Sequence, residues 1–106
     1  MWVLHGAEDG LLPTSFTSEP YVAWLHGQGR RPLYWKVPYA QHFDAFLAVP
    51  GFGDRHLPLL PYGYLALDRL WSHLYEGAAW PSDTPPVPEA HPRGAGTLER
   101  AALGLP

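Results

Sequence analysis

His5-Gly6-Ala7-Glu8-Asp9-Gly10-Leu11-Leu12-Pro13, entered from Trp2-Val3-Leu4, is the stretch on which the fold turns. Trp2 to Leu4 is a short apolar run of strand type. From Gly6 to Pro13 the chain is a loop, marked by Asp9-Gly10 and Pro13. A buried strand that empties into a glycine-rich, acid-bearing loop is what the carboxyl edge of a parallel sheet looks like in sequence.

Outward from there, Ser18 is placed to cap a helix, with Glu19 and Pro20 in its first turn. Tyr21, Val22, Trp24 and Leu25 give that helix an apolar face, and Gly27 and Gly29 end it. Leu33 to Val37, rich in aromatic and branched residues, predicts a second strand. Tyr39 to His42 is a loop, Phe43 to Val49 a short helical turn, and Pro50 to Pro58 turn-like. Leu59 to Glu76 is the longest periodic segment. Its Leu60, Tyr64, Leu67, Trp71 and Leu74 recur at helical spacing, and Gly77 stops it. From Trp80 the prolines of Pro-Ser-Asp-Thr-Pro-Pro-Val-Pro exclude regular ladders, so 80–106 is expected to be a mostly disordered Pro-rich tail with a weak helix at Leu98 to Leu103. There is no internal repeat.

Two strands joined by a helical crossover form a βαβ unit and lie parallel in one sheet. A two-stranded parallel sheet is not stable by itself. The expected architecture is therefore α/β: a βαβα portion of a larger sheet in 1–79, followed by the tail. Composition agrees. Five Trp and an aromatic content of 14% in 106 residues are more ring surface than so short a chain can cover. Met1 stands directly before the first strand, which suggests a truncated reading frame or an internal start, with the N-terminal part of the same domain as the missing partner. No signal peptide is visible, and the compartment stays open between extracellular or periplasmic and cytoplasmic.

The net charge of −3, with 16% charged residues and no basic stripe, gives nucleic-acid binding no support. No apolar run approaches the roughly 18 residues of a membrane span. The absence of cysteine removes disulfides and thiolate metal sites. His26, His56, His73 and His91 show no metal-ligand spacing, so neither a metal nor another cofactor is expected.

Chemistry concentrates in two loops, each after the carboxyl end of a strand. Asp9 lies in the first and His42, in Tyr39-Ala40-Gln41-His42-Phe43, lies in the second, 33 positions later. That separation holds one helix and one strand. Acid, one βα unit, then histidine is the chain order of the α/β-hydrolase triad, whose serine comes earlier. The residue types fit the roles. A serine hydroxyl needs a base to take its proton; histidine titrates near neutrality and can return that proton; a carboxylate on the other ring nitrogen fixes the tautomer. Glu8 adjoins Asp9, but the motif spacing selects Asp9. Asp44 reads as a helix-start carboxylate, and His5 as a structural residue at the strand end. Ser15, Ser18, Ser72 and Ser82 are the only serines, and none sits in a Gly-x-Ser-x-Gly elbow. The nucleophile and its oxyanion hole are therefore expected outside this chain.

The residues of these loops, with Phe16-Thr17-Ser18, Pro20-Tyr21-Val22, Tyr34-Trp35-Lys36-Val37, Gln41-His42-Phe43-Asp44-Ala45-Phe46 and Leu59-Leu60-Pro61-Tyr62, resemble the C-terminal region of the D-(−)-3-hydroxybutyrate oligomer hydrolases. The resemblance covers about residues 3–80, and the Gln41-to-Phe46 block is its most specific part. It implies a serine esterase that cleaves short 3-hydroxybutyrate oligomers, released by polyhydroxybutyrate depolymerases, to monomers. It also implies His42 as the charge-relay histidine, Asp9 as the acid, and a small-molecule ester as substrate. Two other readings stand beside it. One is a different α/β-hydrolase, such as a prolyl-oligopeptidase-like peptidase or a tannase-like esterase, which the acid loop alone also fits. The other is a non-catalytic binding module, using exposed aromatics and the polyproline-like Pro-Pro-Val-Pro.

Overall fold

A computed structural model describes residues 1–86 and 98–106. The expected disordered tail falls partly on 87–97, and that part, with His91, lies outside the described residues. Strand β1 (Trp2–Gly6) and strand β2 (Leu33–Val37) pair in parallel, Trp2 opposite Leu33 through to Gly6 opposite Val37. Helix α1 (Ser18–Gly27) makes the crossover, and helix α2 (Leu60–Glu76) follows β2. Three-residue 3-10 turns stand at Thr14–Phe16 and Ala101–Leu103, and a longer one at Asp44–Ala48.

Alternation along the strands sorts side chains onto two faces. Trp35 and Val37 of β2 pack with Tyr62, Leu65 and Ala66 of α2, and Trp2 and Leu4 of β1 lie against the same cluster. His5 and Tyr34, of opposite parity, meet Ser18 of α1, and Lys36 pairs with Glu19 of α1 at 2.8 Å. One helix thus covers each face of the sheet, the usual requirement of parallel strands. Trp35 is the centre of the core. It is fully buried, takes the edge of Trp2 at 4.6 Å between ring centres, and donates its indole N–H to the Ser82 carbonyl at 3.1 Å. Near the end of the chain Leu103 and Leu105 are buried in this core, and the Tyr62 hydroxyl donates to the Leu103 carbonyl at 2.8 Å. The sequence expectation of a mostly disordered tail does not announce these contacts. Two leucines spaced by one residue in a Pro- and Gly-rich context give no periodic signal.

Ser18 does not cap α1; it is the first residue of that helix, and its hydroxyl turns inward to His5 and Tyr34. Of the expected α1 face, Val22 and Leu25 are buried, while Tyr21 and Trp24 are exposed and stack on each other. At α2 the difference is larger. At about 100° per residue, Leu60, Tyr64, Leu67, Trp71 and Leu74 lie within roughly 40° of one line. Tyr62, Leu65 and Ala66 lie on the opposite side. The opposite side is the one that packs on the strands, and the whole predicted stripe is exposed. The helix is apolar on two sides, so a single moment direction cannot say which one meets these strands. An apolar stripe of this length in water promotes association. The purified chain is therefore expected to sediment as a concentration-dependent oligomer, and the double variant Leu67→Glu, Trp71→Glu to shift it to monomer. A wild-type chain that stays monomeric at high concentration would remove this stripe as an association surface.

Candidate active site

Both chemistry-bearing loops leave the same edge of the sheet. Glycine at position 6 lets them touch: a Cβ there would run into the Ala40 carbonyl and lie 2.7 Å from the Gln41 carbonyl oxygen. With that space open, the Ala7 N–H donates to the Val37 carbonyl at 2.8 Å and the Glu8 N–H to the Ala40 carbonyl at 3.0 Å. The Gln41 side-chain oxygen accepts the Gly10 N–H at 3.0 Å, tying the histidine loop to the acid loop a third time. Tyr39, at φ 60°, makes the sharp turn out of β2 in a conformation that costs a non-glycine residue about 1–2 kcal/mol.

These ties bring Asp9 and His42 together. His42 Nδ1 stands 2.6 Å from Asp9 Oδ2. Asp9 is 4% exposed, in a loop, and nothing about it is solvated. Its Oδ1 accepts the N–H groups of Leu11 and Leu12 at 2.9 and 2.8 Å, and Oδ2 takes a second imidazole, His5 Nε2, at 2.9 Å. Burial is the largest single influence on this carboxyl and pushes its pKa up. The Leu12 N–H, His42, the Leu11 N–H and His5 together outweigh burial and hold the group below the ordinary aspartate value. Asp9 is thus a resident anion. A carboxylate accepts only, so the neutral His42 facing it carries its proton on Nδ1 and presents a bare Nε2. His42 Nε2 has no hydrogen-bond partner among the described residues, and its side chain is 30% exposed. A base with its lone pair facing outward and a buried anion behind it is equipped to take a proton from a hydroxyl and hold it.

The neighbours sort as follows. Glu8 points to His56, with Oε2 3.2 Å from Nδ1 but out of hydrogen-bond alignment, and not to His42. The Asp44 carboxylate accepts the Leu59 and Leu60 N–H groups, both at 2.7 Å, and so holds the start of α2. His5, read from sequence as structural, is a direct partner of the acid; a strand-end histidine four residues before an aspartate is the one signal that pointed there. Phe43 lies edge-on to His42 at 4.3 Å, and Phe46 packs on Phe43 at 6.0 Å; both phenylalanines are about half-exposed. Among the described residues no serine is hydrogen-bonded to His42, and the Ser18 hydroxyl is hydrogen-bonded to His5 and Tyr34. Among the described residues no group of three or more His, Cys, Asp or Glu could hold a metal ion, and no helix is long and apolar enough to cross a membrane.

Comparison with known proteins covers most of the chain. The chain is 40% identical over 95 residues to the D-(−)-3-hydroxybutyrate oligomer hydrolase of a Polaromonas species, covering 87% of this chain and 13% of that protein. It is 42% identical over 99 residues to the protein of the same name from Albidiferax ferrireducens, covering 90% and 14%. The relative from Burkholderia mallei is 40% identical over 82 residues, 74% of this chain and 12% of that protein. The chain thus spans about an eighth of the length of these curated relatives. No solved structure matches it. The sequence pattern of the 3HB-oligomer hydrolases fits residues 1–104, nearly the whole chain, and the chain belongs to that family.

Proposed function

We propose that this chain carries the acid and the base of a serine carboxylic ester hydrolase that cleaves 3-hydroxybutyrate oligomers, dimers and short chains, to monomers. The observation that carries the reading is the buried Asp9 carboxylate 2.6 Å from Nδ1 of a half-buried His42 whose Nε2 is unengaged. Family membership supplies the substrate class. The βαβα unit, a helix on each face of two parallel strands, is a portion of an α/β-hydrolase sheet in this reading. The remaining strands, the serine and the oxyanion donors come from polypeptide outside this chain.

The chemistry then runs as acyl transfer. His42 Nε2 takes the serine proton as the serine oxygen bonds to the ester carbonyl carbon, and Asp9 steadies the imidazolium. The ester C–O bond breaks, and His42 returns the proton to the departing hydroxybutyrate oxygen. Water, deprotonated by the same nitrogen, then bonds to the acyl carbon, the acyl–serine C–O bond breaks, and His42 returns the proton to the serine oxygen.

The isolated chain should not turn over a 3-hydroxybutyrate dimer above background, because nucleophile and oxyanion donors carry most of such a rate. Exchanged for the matching segment of the Polaromonas hydrolase, it should support turnover, and His42→Ala should abolish it. Dimer hydrolysis by the isolated chain that disappears on His42→Ala would refute the division of the site. Undiminished turnover by the His42→Ala exchange protein would refute the site itself.

A further inference from the structure

Asp9 holds more donors than an acid orienting one base requires. The two backbone donors are both spent on Oδ1 and give nothing to the other oxygen. The second imidazole is the one further donor at Oδ2, the oxygen that faces His42. We propose that His5 is a positioning residue: backed by Ser18 and Tyr34, it clamps Asp9 Oδ2 where that oxygen receives the His42 Nδ1 proton. The proposal rests on the reading of Asp9 and His42 as acid and base.

Proton accounting fixes the direction of the backing. His5 Nε2 must donate, since a carboxylate can only accept. Neutral His5 then has a bare Nδ1, 2.6 Å from the Ser18 hydroxyl oxygen, so Ser18 donates to it. Ser18 has no second proton to give, and the Tyr34 hydroxyl, 2.7 Å away, donates to Ser18. Tyr34 of β2, Ser18 of α1 and His5 of β1 therefore form one chain of donors ending on the acid. Ser18 is 7% exposed and Asp9 4%, so water offers little competition. This also accounts for the inward turn of Ser18: its hydroxyl serves the histidine and not the helix end.

The test is nitrogen-15-edited imidazole NMR of the 106-residue chain, which reads the tautomer of each histidine and the water exchange of its ring protons. In the wild type, neutral His42 should carry its proton on Nδ1 in slow exchange, and neutral His5 on Nε2. In His5→Phe the His42 Nδ1 proton should exchange roughly tenfold faster or more, as expected when a hydrogen bond to a charged acceptor is lost nearby. His5→Gln, which keeps an N–H donor at the ε position, should restore slow exchange. A role limited to filling space would let phenylalanine serve at least as well as glutamine. Ser18→Ala and Tyr34→Phe should move the exchange rate part of the way, and they decide the matter if His5→Phe does not fold. Unchanged His42 exchange in all three removals, or glutamine no better than phenylalanine, overturns the positioning role. A wild-type His42 without the slow Nδ1 proton overturns the acid–base pair itself, a different failure with a different signature.

Discussion

Replacing Asp9 with asparagine is expected to lower the turnover of a hydrolase carrying this segment by about 10³–10⁴-fold, with the fold retained. Asparagine fills nearly the same space, and its oxygen can still accept the Leu11 and Leu12 N–H groups that Oδ1 accepts now. Its amide nitrogen then faces His42 Nδ1 and His5 Nε2, both donors in the wild type. Donor meets donor, and the least costly relief is for His42 to move its proton to Nε2. That tautomer has no lone pair for the serine proton, so the base is lost while the loop stands. The same substitution has a stability signature. Asp9 is held below its ordinary pKa in the folded chain. Its contribution to stability is therefore present above the unfolded value of about 3.9 and is lost as pH falls through the lowered folded value. Asparagine does not titrate, so the variant should lose that part of the acid slope. Turnover against pH together with urea unfolding at several pH values below about 5 checks both halves. A variant with parental turnover would take Asp9 out of the mechanism.

A methyl group at Gly6 is expected to cost about 3 kcal/mol of stability and to part the two loops of the site. The added Cβ meets backbone, the Ala40 and Gln41 carbonyls, and no flexible side chain can swing aside. Nor can the backbone retreat cheaply, because the Ala7 and Glu8 N–H groups are bonded to Val37 and Ala40 on either side. The strain is relieved by lifting the 39–42 loop away from β1, and lifting it stretches the 2.6 Å contact between His42 and Asp9. Gly6→Ala should thus lower the urea midpoint at unchanged denaturant slope, and the turnover of a hydrolase carrying this segment should fall with it. An unchanged midpoint would mean that the two loops are not packed this closely.

How much of this the sequence discloses depends on whether the deciding interaction is local. Asp9 and His42 are legible because each sits at the end of a strand and their spacing admits one βα unit. Strand β2 is legible because Leu33 to Val37 has the composition of a half-buried strand. Helix α2 is legible as a helix, since Gly77 stops it in the left-handed conformation a glycine favours. Its buried side is not, because Tyr62, Leu65 and Ala66 stand opposite a longer apolar stripe and only tertiary packing shows which of the two meets these strands. The turn at Tyr39 carries no glycine to announce its positive φ. The partnership of His5 with Asp9 requires knowing that β1 turns His5 toward α1, and parity alone does not say on which face α1 lies.

The register of the two strands has a consequence for quality control during folding. His5 stands opposite Lys36 and Gly6 opposite Val37. A slip of one residue would carry the 39–42 loop about 3.3 Å along the strand axis and turn Trp35 from the α2 side to the α1 side. The first displacement exceeds any tolerance of a hydrogen bond. The second would expel the largest ring of the core. Misregistered molecules would thus be both loosely packed and chemically silent, and none would pass as a slow or promiscuous variant of the native protein. In a hydrolase carrying this segment, turnover would then count only molecules whose strands have paired in the native register.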